Sequence, residues 1–125
     1  MKVLIVDNSL QIVRRLEEML LTAISGVTVS ASSSYENGRR LLKELEPDVV
    51  LLGISLPENE SLQLLVEIKS TFYSSTVIVL STNTNPLFYH QCALQGAHYF
   101  LDKYYEFEKI PDLINAITVS GKTIS

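Results

Sequence analysis

The chain has 125 residues, 46% of them apolar and 19% charged, with a formal net charge of -4. A chain of this length makes about one domain with a core of useful size, and its balance of apolar and charged residues excludes a disordered tail. The Lys and Arg side chains are scattered, with no stripe able to follow a phosphate backbone, so direct nucleic-acid binding is not expected.

The first predicted element is the apolar tract from Lys2 to Val6, too short for a signal-peptide core or a membrane span. Leu10, Val13, Leu16, Leu20 and Ala23 follow at helical steps, with Asn8 or Ser9 as cap and Gly26 as stop. A second strand is expected from Val27 to Ala31. The second helix begins after Ser34, buries Leu41, Leu42 and Leu45, and ends before Pro47. Val49 to Leu52 is the third strand, and Leu62, Leu65, Ile68 and Phe72 mark the third helix. A fourth strand, Val77 to Leu80, leads to a helix with Asn85 as cap, Pro86 in its first turn and Gly96 at its exit. Tyr99 to Leu101 is the last strand. The last helix runs from about Ile110, with Phe107, Ile110, Leu113, Ile114 and Ile117 inward and Pro111 in its first turn.

Strand-length apolar runs alternating with helical segments are the sign of a parallel sheet covered on both faces. No repeat or linker interrupts the five units, so residues 1–125 are expected to form a single domain. Cys92, the sole cysteine, cannot make an internal disulfide and is expected to be a small buried side chain, and the short amino-terminal apolar tract leads to the expectation of a cytoplasmic location. His90 and His98 are isolated from other metal-type ligands and are expected at the surface or in capping roles. In an open sheet of order 2-1-3-4-5, the functional crevice lies at the carboxyl ends of strands 1 and 3. Asp7, Asn8, Gly53, Ser81, Thr82, Asp102 and Lys103 should converge there.

Four segments then carry a resemblance. They are Val3 to Asn8 with Ser9, Pro47 to Pro57, Val77 to Ser81, and Gly96 to Lys103. Each resembles the matching segment of response regulator receiver domains, in order and at normal spacing. The resemblance implies a flavodoxin-like, doubly wound sheet of five parallel strands with five helices, and a non-enzymatic module of a two-component phosphorelay. The chain's end near the fifth helix also resembles stand-alone receivers.

The same comparison implies departures. The position matching the phosphoacceptor aspartate is Gly53, and the second acidic residue of the first segment is Asn8. Asp7, Asn8, Gly53, Ser55, Ser81 and Lys103 would form a degenerate phosphorylation pocket, with no catalytic residue, no cofactor, and magnesium binding weak or absent. Glu58 or Glu60 is the only nearby substitute for a metal carboxylate. Phe100 matches the family's signalling aromatic. Tyr89, Tyr99, Tyr104 and Tyr105 would offer a partner surface, since aromatics are enriched at interface cores. The expected partner is a sensor kinase, an output protein or a second copy, the last through helix 4, strand 5 and helix 5. Two other readings are a flavodoxin-like cofactor-binding protein, disfavoured by the lack of a glycine-rich phosphate loop, and a phosphorylatable receiver carrying a substitution at Gly53.

Overall fold

Runs of Val, Ile and Leu build five parallel strands in this computed structural model, which describes residues 1–54, 59–71, 74–83 and 85–124, the side chains of residues 59 and 119–124 excepted. The strands are β1 (Lys2–Val6), β2 (Thr28–Ser32), β3 (Val49–Ile54), β4 (Thr76–Ser81) and β5 (Tyr99–Asp102). They lie in the order β2-β1-β3-β4-β5. Between and after them run α1 (Leu10–Ala23), α2 (Tyr35–Leu45), α3 (Asn59–Thr71), α4 (Pro86–Leu94) and α5 (Ile110–Ile124), the last preceded by a 3₁₀ turn over Phe107–Lys109. This is the expected flavodoxin-like, doubly wound arrangement.

Side chains alternate across each strand, so the sheet has two buried faces. Val3, Ile5, Val49, Leu51, Ile78 and Leu80 pack with Ile12, Val13, Leu16 and Leu20 of α1 and with Ile110 and Ile114 of α5. Leu4, Val6, Val50, Leu52, Val77 and Val79 pack with Leu42 of α2, Leu64, Leu65 and Ile68 of α3, and Phe88 and Cys92 of α4. Each fully buried Leu or Ile contributes about 1.5–3 kcal/mol. The core therefore consists of two apolar layers around the sheet, and the polar residues are left to its ends.

The element ends adjust the expectations. Ser9 caps α1, its hydroxyl accepting from the Ile12 N–H. Leu10, expected inward, is exposed because it stands in the first turn, beyond the end of β1, while Ile12 is buried. Ala23 is also exposed, at the other end of the helix. β2 starts one residue later than expected, because Thr28 pairs with Lys2 and Ser32 with Val6. On α2, Leu42 is buried but Leu41 and Leu45 only half so; the close packing comes instead from Tyr35 and Gly38. Gly26 and Gly96 both take positive φ at the helix exits where they were expected. Pro111 falls in the first turn of α5, and Cys92 is fully buried. Phe72 lies outside the described residues. Both histidines are exposed, and His98 caps a strand start, its Nδ1 accepting from the Val77 N–H at 3.0 Å.

Candidate functional site

β1 delivers Asp7 to the carboxyl end of the sheet, where its N–H donates to the Ser32 carbonyl at 3.1 Å. Val6 pairs with Leu52, so one step further Asp7 stands beside Gly53 on the face covered by α1 and α5. Gly53 was expected at the strand's end but lies inside β3, paired with Leu80. Glycine inside a strand often marks a close approach of another group, and here that group is Asp7. A Cβ on residue 53 would stand 1.8 Å from Asp7 Oδ2, 2.4 Å from its Cγ and 2.9 Å from its Cβ. Rotating the carboxylate away would relieve the first two contacts but not the third, because the Asp7 Cβ is fixed to the backbone.

The carboxylate is held from two sides. Oδ1 accepts from the Ser9 N–H at 2.8 Å, and Oδ2 lies 2.9 Å from Lys103 Nζ. Asp7 is wholly buried and Lys103 is 5% exposed. Oδ2 makes no hydrogen bond of regular geometry among the described residues, so the ion pair alone compensates its burial. Two charges taken out of water recover their hydration loss only through such close pairing. Lys103 itself is positioned by its main chain, whose N–H donates to the Ser81 carbonyl at 3.0 Å.

Ser81 is buried at the end of β4, and its hydroxyl accepts from the Asn83 N–H at 3.0 Å, turning the following loop. Asn8 is exposed, and Glu60 is exposed in the first turn of α3. Ser55 and Glu58 lie outside the described residues. Among the described residues no group of three or more His, Cys, Asp or Glu could hold a metal ion. Sequence reasoning missed Tyr35, whose buried hydroxyl donates to the Gly53 carbonyl at 2.8 Å and ties α2 to the site. The available signal was an aromatic directly after the capping Ser34, at the rim where the strands end.

A second cluster adjoins the edge strand. Phe100 is half-buried, with Tyr89 stacked on it at 3.8 Å between ring centroids and Phe88 edge-on at 5.8 Å. Loss of hydration raises the Tyr89 phenol's pKa, and the charges of Glu106 and Asp102 add to that rise. Tyr99, Tyr104 and Tyr105 are exposed. The turn that carries the last two is firmly built: Asp102 Oδ1 accepts from the Tyr104 and Tyr105 N–H groups at 2.9 and 2.8 Å. Glu106 Oε1 in turn accepts from the Asp102 N–H at 2.9 Å, which, with Lys109, holds its carboxyl below the usual range. A groove of about 300 Å³ between α4 and β5 is lined by Tyr89, Ala93, Ala97, Tyr99 and Phe100, with His90 and His98 at its sides.

A doubly wound parallel sheet with a buried acid and lysine at the point where its winding reverses defines a flavodoxin-like protein of the receiver kind. The sequence pattern of the response regulator receiver domain matches residues 3–115, and the chain belongs to that family. Receiver domains are in general signalling modules of two-component systems rather than enzymes. The chain is 33% identical over 81 residues to the probable C4-dicarboxylate response regulator DctR of Bacillus subtilis, a match covering 64% of this chain and 35% of that protein. To the transcriptional regulatory protein YdfI of the same organism it is 32% identical over 103 residues, covering 80% and 47%. It thus spans about a third to a half of these curated relatives. Among solved structures, the signal receiver domain of a DNA-binding response regulator protein (merR) from Colwellia psychrerythraea superposes with a TM-score of 0.86 at 18% identity, covering 94% of this chain and 97% of that one. A LuxR-family DNA-binding response regulator from Staphylococcus aureus gives 0.82 at 19% identity, covering 93% and 97%. At such identities these likenesses speak for the fold. No helix among the described residues is long and apolar enough to cross a membrane.

Proposed function

We propose that this chain is an atypical receiver, a pseudo-receiver, that signals in the cytoplasm through protein contact and accepts no phosphoryl group. The observation that carries this reading is the Asp7 carboxylate standing where a side chain on residue 53 would have to be. Phosphoryl transfer to a receiver needs a carboxylate nucleophile and a divalent ion to screen the charge. Residue 53 supplies no nucleophile. Magnesium is assigned no role either, because it favours several carboxylate and carbonyl oxygens in octahedral array, and Asp7 Oδ2 already faces the Lys103 ammonium at 2.9 Å.

The close packing of Asp7 against Gly53 also weighs against a phosphorylatable receiver that carries a chance substitution. A larger residue at 53 would require Asp7 to shift, and Asn8 is a second loss of charge from the same place. In this reading Asp7, Asn8, Gly53, Ser55, Ser81 and Lys103 are the remnant of a phosphorylation pocket. Tyr89, Tyr99, Tyr104 and Tyr105 face a protein partner, which is a sensor kinase, an output protein or a second copy through α4, β5 and α5. Intact-mass measurement after incubation with magnesium and acetyl phosphate tests it. The expected result is an unchanged mass, and a stable gain of one phosphoryl group overturns the reading.

A further inference from the structure

Lys103 is an ammonium group almost wholly removed from water, and Asp7 is the one acid within ion-pair distance of it among the described residues. The pair bridges distant parts of the sheet, since Asp7 follows β1 and Lys103 follows β5, with β3 and β4 between them. It closes with the carboxylate seated in the notch that Gly53 leaves on β3. From this geometry we infer that Asp7 is a built-in counter-anion: seated in the Gly53 notch, it occupies Lys103 permanently and holds the turn of residues 102–106 in one arrangement.

This inference rests on the reading of a receiver that takes no phosphoryl group, and it names what fills the vacated place instead. An external anion would have to displace a carboxylate that is tied to the Ser9 N–H through Oδ1 and anchored through its own N–H to the Ser32 carbonyl. Lys103 stands at the root of the turn that carries Tyr104 and Tyr105, whose N–H groups are fixed on Asp102. A ligand shifts a conformational equilibrium only by binding its states unequally. Here the anion is part of the chain and its concentration never varies. Asp7 is therefore a positioning residue for the surface that the turn presents.

The experiment is a double-mutant cycle in urea with Asp7→Asn, Lys103→Met and both together, read also by amide resonances. Asp7→Asn leaves the ammonium buried without a counter-charge, and the folding equilibrium constant should fall about a hundredfold or more. Adding Lys103→Met should recover much of that loss, giving a coupling of at least about tenfold. The Tyr104 and Tyr105 amide signals should move in each single variant, while those of Leu42 and Lys43 on α2 stay in place. If Asp7→Asn does not fold, restoration of folding by Lys103→Met is the same result. Additive effects, unmoved Tyr104 and Tyr105 signals, or a double variant that also fails to fold overturn the inference. A phosphoryl adduct on the parent chain would instead overturn the preceding reading, so the two failures are told apart.

Discussion

Gly53 has no side chain, yet the space beside it is not empty. Its neighbour Asp7 has taken it, and the two positions now depend on each other. Gly53→Ala should destabilise the chain by about 1–3 kcal/mol, the usual cost of overpacking a tight interior, because the added methyl meets the Asp7 Cβ at 2.9 Å as well as its carboxylate. Urea denaturation followed by circular dichroism measures this, and a variant as stable as the parent would show that the Asp7 backbone yields freely. The identities of Asp7, Gly53 and Lys103 as a group were legible in the sequence through strand ends and resemblance. So was the charge pairing of Lys103 with Asp7, but the contact of Asp7 with Gly53 was not. Sequence spacing says which residues reach one rim, whereas the notch depends on β3 continuing two residues past Leu52, so that Gly53 is inside the strand rather than after it. Tyr35 escaped for a similar reason, since its hydrogen bond runs to a backbone carbonyl that no residue pattern marks.

At the scale of elements, apolar runs located the strands and periodicity located four of the α-helices, while α4 was placed by its end signals, Asn85, Pro86 and Gly96. Errors gathered at helix ends, where Leu10 and Ala23 keep the period but project beyond the covered sheet. The short turn after β5 has no apolar period at all, and its order comes from two acids that accept backbone hydrogen bonds. Glu106 is the one whose carboxyl is held below its ordinary value of 4.5, first by the Asp102 N–H and then by Lys109. A depressed folded-state pKa stabilises the fold above the unfolded value, and that contribution fades as pH falls through the lower folded value. Glu106→Gln keeps the amide oxygen as acceptor but removes the charge. It should therefore be less stable than the parent at neutral pH, with the gap narrowing as pH drops through and below 4.5. Urea midpoints measured at several pH values check the sign, and a gap that widens in acid would contradict it.

On the scale of the whole molecule, the sheet has a closed end and an open side. The carboxyl rim holds a closed ion pair, while the side of the sheet offers exposed aromatic and aliphatic surface, with Tyr105 92% and Leu87 79% accessible. If Tyr89 and Tyr104 are interface anchors, replacing either with Ala should weaken binding of the native partner by more than about 1 kcal/mol, with the far-ultraviolet circular dichroism unchanged. Titration calorimetry with the partner is the measurement. Equal binding by both variants would confine the cluster to edge packing, in which Tyr89 covers Phe100, and would move the contact to another face such as α1. The hydrogen bond from Tyr35 to Gly53 has a practical consequence as well. The chain has six tyrosines and no tryptophan, so its near-ultraviolet spectrum is a tyrosine spectrum. Near-ultraviolet dichroism reports fixed packing, and Tyr35 is the tyrosine whose phenol is buried against the Gly53 carbonyl. The difference between the spectra of the parent and Tyr35→Phe would isolate that one ring, giving an optical probe at the notch without any attached label.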